Sequence, residues 1–499
     1  MIKLISNYIL YTTTAYNIQM SDSPHSFAGA SSSNHQSNVV ATLRSHRSAF
    51  AEQDPPLGGG TPPFSPLSKR ITESLTKDEK KNGGIFFTPP SCIQQIMTLL
   101  RGVSLSTHTP TPHQFASILE PSCGSGEFLS ALMREYPSAN ITGIEFHPVI
   151  YKEVSKHFAV GGGGGKVKIQ HGDFLKYRPA AGTAPPDIII GNPPYFVMKK
   201  EDVDAEYYPF FDGRPNIFIL FIIKSAQLLS TGGVICFVLP SNFMNSQYYD
   251  KARKYIVRHF SILHMVRCDG DDGDGGGGGY LDTQQGTFIL ILRKSGGDGV
   301  GSLACGASGA GVFEKSGASI FTDNLPRLMS LYAGSTSLHD LGFKVSIGTV
   351  VWNQCKSILT NDATKPRLVY SSNIETGKFE HISYKNGEKK AFIDKPGIHT
   401  PMIVVNRGYG VGKYKFNYCL ITPDTMSSSS SAGYLIENHL ICITHKSSTG
   451  ARDAPSLAAF HRVMKSFKDP RTQEFISCYC GNSAISSTEL HLMLPIYGT

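Results

Sequence analysis

Apolar residues come along this chain in short unbroken runs, each halted by turn residues. Ile188-Ile189-Ile190 stops at Gly191-Asn192-Pro193-Pro194-Tyr195, and Gly232-Gly233 opens the run Val234-Ile235-Cys236-Phe237-Val238-Leu239-Pro240. Runs without polar alternation suit strands covered on both faces of a parallel sheet. Further strands are predicted at the stretches ending at Leu119, at Glu145, in Gly172-Asp173-Phe174 and at Leu292. Between them lie helical spacings. Residues 91–100 put Ile93, Ile96, Met97 and Leu100 on one face, and the segment after Gly126 carries Phe128, Leu129, Leu132 and Met133. Residues 216–229 read as an apolar helix, and 249–256 as an amphipathic one with Arg253, Lys254 and Arg258 as its basic face. Strands alternating with helices predict an α/β fold with a parallel sheet and right-handed crossovers.

Composition changes this picture mainly at the ends. Residues 21–74 are rich in Ser, Pro, Gly and Asn, too poor in apolar surface to offset the entropy of ordering. The chain then divides into a disordered low-complexity segment (1–75), an α/β domain with glycine-rich inserts (76–330), and a mixed α+β domain (331–499). The run from Gly161 to Gly165 lacks a following Lys-Ser/Thr and reads as a flexible loop, not a phosphate cradle. Net charge is +8, and 331–499 holds 18 Lys+Arg against 12 Asp+Glu, so the second domain is the expected face for a polyanion. Ten cysteines include no C-x-x-C pair, which speaks against a zinc site or a disulfide framework. No run approaches the length of a membrane span, so a soluble intracellular protein and a monomer are expected, starting at Met1 or Met20.

Candidate chemistry sits where strands end. The Thr88-Pro89 pair is placed to cap the helix that follows it. Leu119-Glu120-Pro121-Ser122-Cys123-Gly124-Ser125-Gly126 runs from a strand through a Gly-x-Gly turn into a helix, and Glu145 ends the next strand about twenty residues on. That spacing suits a nucleotide, with the acid accepting from ribose hydroxyls. Asp173 offers an acceptor for an exocyclic amine and Phe174 a cover for an adenine ring. At the rigid turn, Asn192 and the Pro193 carbonyl are two acceptors and Tyr195 an aromatic face, a set that grips a planar group bearing an amine.

Taken in order, Phe87-Thr88-Pro89, Glu120-Pro121-x-Cys123-Gly124-x-Gly126, Glu145, Asp173-Phe174, Asn192-Pro193-Pro194-Tyr195 and Tyr280 resemble the gamma class of N6-adenine DNA methyltransferases, the Taq-type enzymes of type II restriction-modification systems. The resemblance spans about residues 80–295. It implies a Rossmann-like S-adenosylmethionine-dependent catalytic domain followed by a target-recognition domain for double-stranded DNA, with no metal. By that likeness the Thr-Pro and glycine turns hold the methionine part of S-adenosyl-L-methionine, Glu145 its ribose, and Asp173 with Phe174 its adenine. Asn192, Pro193, Pro194 and Tyr195, with Tyr280 as a second stacking ring, receive a flipped-out adenine. Weaker likeness in Gly348 to Trp352, Pro401 to Gly408 and Asn482 to Ile496 extends to the target-recognition domain. Arg407, Lys413 and Lys415 are its expected DNA contacts. The same turn also occurs in enzymes that methylate RNA adenine or the glutamine amide of release factors, which form the alternative reading.

Overall fold

Strands β1 (Ser117–Glu120), β2 (Asn140–Glu145), β3 (Val167–His171), β4 (Ile188–Gly191), β5 (Val234–Pro240), β6 (Phe260–Arg267) and β7 (Thr287–Lys294) form the central sheet of the computed structural model. Their spatial order is β3-β2-β1-β4-β5-β7-β6. The structure describes residues 63–103, 115–160, 166–268, 286–296, 309–384, 387–407, 414–422, 432–445, 457–480 and 485–498. Tyr280, Lys413, the run from Gly161 to Gly165 and most of the low-complexity segment lie outside these.

The expected α/β fold is present, in a Rossmann-like arrangement. The isoleucine run behaves as a central strand should. Ile188, Ile189 and Ile190 are all fully buried. Ile189 joins the core on one face, Ile188 and Ile190 that on the other. Burying each stabilises the sheet by roughly 1.5–3 kcal/mol. Strands β1 to β5 are parallel, but β7 runs antiparallel to both β5 and β6, so the sheet is mixed and not wholly parallel as predicted. The cause is β6, whose half-buried pattern gave no clear strand signal. It takes the outer edge after the helix Asp250–His259, and the next strand fills the gap between β5 and β6 against both directions.

Helices α1 (Pro66–Ser74), α2 (Lys77–Gly83), α3 (Pro90–Arg101), α4 (Glu127–Glu135), α5 (Pro148–Val160), α6 (Ile217–Leu228), α7 (Asp250–His259) and α8 (Leu325–Tyr332) precede or connect these strands and lead out of the sheet. Three sequence expectations need correction. The segment expected to be disordered through residue 75 contains α1, capped by Ser65 and burying Leu67 and Ile71. Its small apolar stripe packs with Leu75 and Ile150 against Ile85 and Phe87, which is enough to order a nine-residue helix. Arg253 is not on a basic face. It is fully buried, and its guanidinium donates to the carbonyls of Ser319 (2.6 Å), Phe243 (2.8 Å) and Ser246 (2.7 Å). The expected boundary at residue 330 falls inside α8, whose Leu328 and Leu331 are buried with residues of the C-terminal part.

In that C-terminal part, strands Phe343–Ile347, Leu440–His445, Met402–Asn406 and Tyr418–Ile421 form an antiparallel sheet, joined by helices Leu457–Phe467 and Pro470–Tyr479. This is the mixed α+β texture expected. Among the described residues, no helix is long and apolar enough to cross a membrane.

Candidate active site

Glu120, Glu145, His171 and Gly191 end four neighbouring parallel strands, so the residues that follow them share one edge of the sheet. Strand order reverses between β1 and β4, and the carboxyl edge at such a switch point is where open α/β sheets hold ligands. A cavity of about 370 Å³ opens there. Its wall runs from Gly84 to Thr88, along Glu120 to Ser125, past Glu145 and Phe146, over Asp173 and Phe174, to Asn192 and Pro194. The volume is that of a small-molecule site.

At the glycine turn the backbone does the work. Gly126 takes φ 80° as the N-cap of α4, and a Cβ there would come within 2.5 Å of the Phe158 ring. Gly124 N–H donates to Glu145 Oε2 (2.9 Å) and His147 N–H to Glu145 Oε1 (2.7 Å), which holds the carboxylate at the end of β2. Burial pushes the Glu145 carboxyl up from its ordinary value, against those two hydrogen bonds. Glu120 is buried more deeply. Desolvation first and the neighbouring Glu145 second hold its carboxyl well above the usual range. Among the described residues its Oε2 has no hydrogen-bond partner, although Glu120 lines the cavity. Cys123 also lines it, with burial first and then Glu120 and Glu145 raising its thiol pKa.

Asp173 Oδ1 accepts from Leu175 N–H (2.9 Å), fixing the turn after β3, and Phe174 is buried against Phe221 with ring centroids 4.9 Å apart. Both line the cavity. Sequence reasoning missed Phe146. Its ring is 70% exposed at the cavity, directly after Glu145, and the only sequence signal is an aromatic residue following the acid.

The Asn-Pro-Pro-Tyr turn is tied down from three sides. Asn192 Nδ2 donates to the Phe86 carbonyl (3.0 Å), and Ser122 Oγ donates to the Asn192 carbonyl (3.0 Å). The Tyr195 hydroxyl reaches both Asn192 Oδ1 and the Val238 carbonyl of β5. These contacts orient the amide with its oxygen as acceptor. No hydrogen bond to the Pro193 carbonyl forms among the described residues. Tyr195 was expected as a stacking face, and it is half-buried with its ring edge-on to Phe218 at 6.0 Å, so its hydroxyl also serves Asn192. Gly84, at φ 60°, lets the upstream turn come close: a Cβ there would stand 2.7 Å from Tyr195 N.

One expectation fares less well. Pro89, not Thr88, is the N-cap of α3, without a side-chain cap, and Thr88 is buried in the cavity wall. Arg407 and Lys415 lie far along the chain in the C-terminal sheet region; Arg407 donates to the Asn438 carbonyl (3.2 Å), while Lys415 is exposed. Among the described residues, no cluster of His, Cys, Asp and Glu is placed to hold a metal ion.

Strand order, glycine turn, second-strand acid and rigid polar turn together make a Rossmann-like α/β fold with its candidate site at the switch point of the sheet. Residues 179–273, which contain the Asn-Pro-Pro-Tyr turn, match the Eco57I restriction-modification methylase family. The chain is similar to the type II methyltransferase M.CvrRI of Paramecium bursaria Chlorella virus XZ-6E, 25% identical over 87% of this chain and 99% of that one. It is also similar to the modification methylase CviBIII of Paramecium bursaria Chlorella virus NC1A, 30% identical over 47% of this chain and 56% of that one. Among solved structures, a class I S-adenosylmethionine-dependent methyltransferase from Listeria monocytogenes is 18% identical over 46% of this chain and 66% of that chain, with a TM-score of 0.37. The family match and the two viral relatives bear out the resemblance read from the motifs, to type II restriction-modification methyltransferases.

Proposed function

We propose that this protein is a DNA methyltransferase that transfers a methyl group from S-adenosyl-L-methionine to the N6 amino group of an adenine flipped out of the duplex. The observation that carries this reading is one continuous cavity joining the glycine turn and its acids to Asn192. A donor and an acceptor must be held within one enclosure for direct transfer, and alignment then supplies much of the rate.

The wall fits the cofactor. An unpartnered, buried Glu120 Oε2 suits the ammonium of the methionine part, since a cation there removes the cost of an ionised orphan. Glu145, already oriented by two amides, suits the ribose hydroxyls, and Phe146 and Phe174 offer rings to the adenine. S-adenosyl-L-methionine supplies a methyl group on a sulfonium, a good leaving group, so no strong base is needed at the turn.

Asn192 has the remaining task. An exocyclic amine shares its lone pair with the ring and is a poor nucleophile. Acceptance of its two N–H bonds by Asn192 Oδ1 and the Pro193 carbonyl favours the pyramidal amine and returns electron density to nitrogen. Tyr195 and Phe86 keep the amide turned the right way. A base stacked in a duplex does not reach such a turn, hence the flipping. The basic C-terminal part, +6 of the net +8, supports DNA as the polyanion.

Transfer of tritiated methyl groups to duplex DNA, RNA and release-factor protein tests this. Labelling of DNA is expected, with Asn192→Ala lowering turnover at least about a hundredfold while S-adenosylhomocysteine binding is nearly unchanged. Full transfer by Asn192→Ala would sink the assignment.

A further inference from the structure

The carboxyl edge of the sheet carries a second pocket, on the far side of Asn192 from Glu120 and Glu145. Along the order β3-β2-β1-β4-β5-β7-β6 those acids end β1 and β2, and Asn192 follows β4. Beyond it, a pocket of about 460 Å³ is built from the turn Ser241–Met244 after β5, Arg267 at the end of β6 and Gly286 before β7. The Tyr195 hydroxyl, which orients Asn192, is bonded to the Val238 carbonyl, three residues before Ser241 and so roughly 10 Å along β5. The end of the strand Ala318–Thr322 and the helix Pro470–Tyr479 complete the pocket, so the basic C-terminal part helps to close it.

Arg267, Ser477 and Cys478 are exposed, whereas Asn245, Thr322 and Tyr479 are buried, which gives the pocket a solvent-facing rim and a partly polar floor. Asn245 is 7% exposed and its Nδ2 donates to the Cys478 carbonyl (3.5 Å). A carbonyl only accepts, so the amide is fixed with its oxygen left over. Among the described residues, Asn245 Oδ1 and Ser241 Oγ have no hydrogen-bond partner. A group that satisfies Oδ1 must donate. A phosphodiester carries no donor, and the Asp323 carboxylate, 3.1 Å from Arg267 Nε, offsets the cation on the rim. Each DNA base has an N–H on its edge and flat faces, for which Met244, Phe321 and Tyr479 supply apolar surface.

We propose that this pocket is a second nucleobase subsite, which takes an unstacked DNA base other than the target adenine through an N–H bond to Asn245 Oδ1. The proposal rests on the DNA reading given above. Flipping the target leaves its partner unpaired and lowers the cost of extruding it. A base beside the target on its own strand presents the same chemistry.

Binding of the full-length protein, with S-adenosylhomocysteine, to a duplex bearing its methylation site tests this, the site being mapped by sequencing methylated DNA. An abasic lesion replaces in turn the base opposite the target and each base flanking it. One of these lesions is expected to weaken binding by wild type about tenfold, and its position tells the partner strand from the target strand. Asn245→Ala is expected to bind the intact duplex about tenfold more weakly and to lose the response to that lesion. Ser477→Trp blocks the rim without altering the floor and is expected to do the same. Its thermal unfolding and its affinity for S-adenosylhomocysteine should stay at wild-type values, which keeps loss of the pocket apart from loss of fold. A wild type indifferent to every lesion, or a full lesion response retained by either folded variant, overturns the subsite alone. A wild type that neither methylates nor binds DNA overturns the DNA reading and the subsite together.

Discussion

At the scale of single residues, Glu120 carries a measurable charge effect. Burial, and then Glu145, raise its carboxyl well above the ordinary value. The native state therefore keeps a proton that the unfolded chain has lost. That stability is fully present below the ordinary carboxylate pKa and disappears as pH rises through the raised one. An ammonium beside Oε2 reverses the preference, so ligand binding releases a proton and strengthens with rising pH across the same window. Calorimetry with S-adenosylhomocysteine in buffers of different ionisation enthalpy should detect that release. Glu120→Gln should lack it, bind more weakly, and melt higher than wild type when ligand-free above neutral pH. Affinity of the wild type that ignores pH through this window would contradict the role. The sequence displayed Glu120 as the residue before a Pro and a glycine turn, but not its isolation. Being orphaned is a property of what surrounds a side chain in space.

Among the elements, α7 shows where residue patterns mislead. Arg253, Lys254 and Arg258 are three basic residues on a short helix, and their spacing alone reads as one solvated face. Lys254 fits, with its ammonium 2.6 Å from Asp250 and about half exposed. Arg253 instead fastens the turn after β5 to the hairpin formed by β8 (Gly311–Lys315) and β9 (Ala318–Thr322), through the three carbonyls it reaches. Burial draws its pKa down to about 10, so it keeps its charge at neutral pH. Replacing it orphans three buried acceptors. Arg253→Leu should cost about 3–5 kcal/mol in urea unfolding, whereas Lys254→Ala should cost about 0.5 kcal/mol or less. Similar small losses for both would show that the buried guanidinium is not a strut. The strands at Ile188–Gly191 and Val234–Pro240 were legible because fully apolar runs admit few other fates. β6 was not, since its half-buried residues follow no clear alternation, and the reversal of β7 followed from it. Helix α1 was hidden by its neighbours' composition: a few apolar residues suffice when a matching surface waits at Ile150, Ile85 and Phe87.

For the whole molecule, the site was more legible than the architecture. Phe87-Thr88, Glu120 to Gly124, Glu145, Asp173-Phe174 and Asn192 are scattered over more than a hundred residues, and the fold gathers them around one cavity. Apart from Phe87-Thr88, which lie on the turn before α3, each ends or follows a parallel strand, and the carboxyl ends of such strands lie along one edge. The link between Phe86 and Asn192, the orienting hydroxyl of Tyr195, the ring of Phe146 and the bonds from Ser65 and Ser68 to Glu127 were not legible, since they depend on which segments meet above that edge. The C-terminal part shares its core with α8, so the two halves are joined through packed apolar surface and not only by chain connectivity.

The central claim is that an adenine amine, held by Asn192 and Pro193, receives the methyl group. Duplex DNA methylated by the full-length protein, digested to nucleosides and separated by mass spectrometry, tests it most directly. The expected product is N6-methyladenine, from wild type and not from Asn192→Ala. Methyl groups on cytosine, or equal N6-methyladenine from both proteins, would contradict the account.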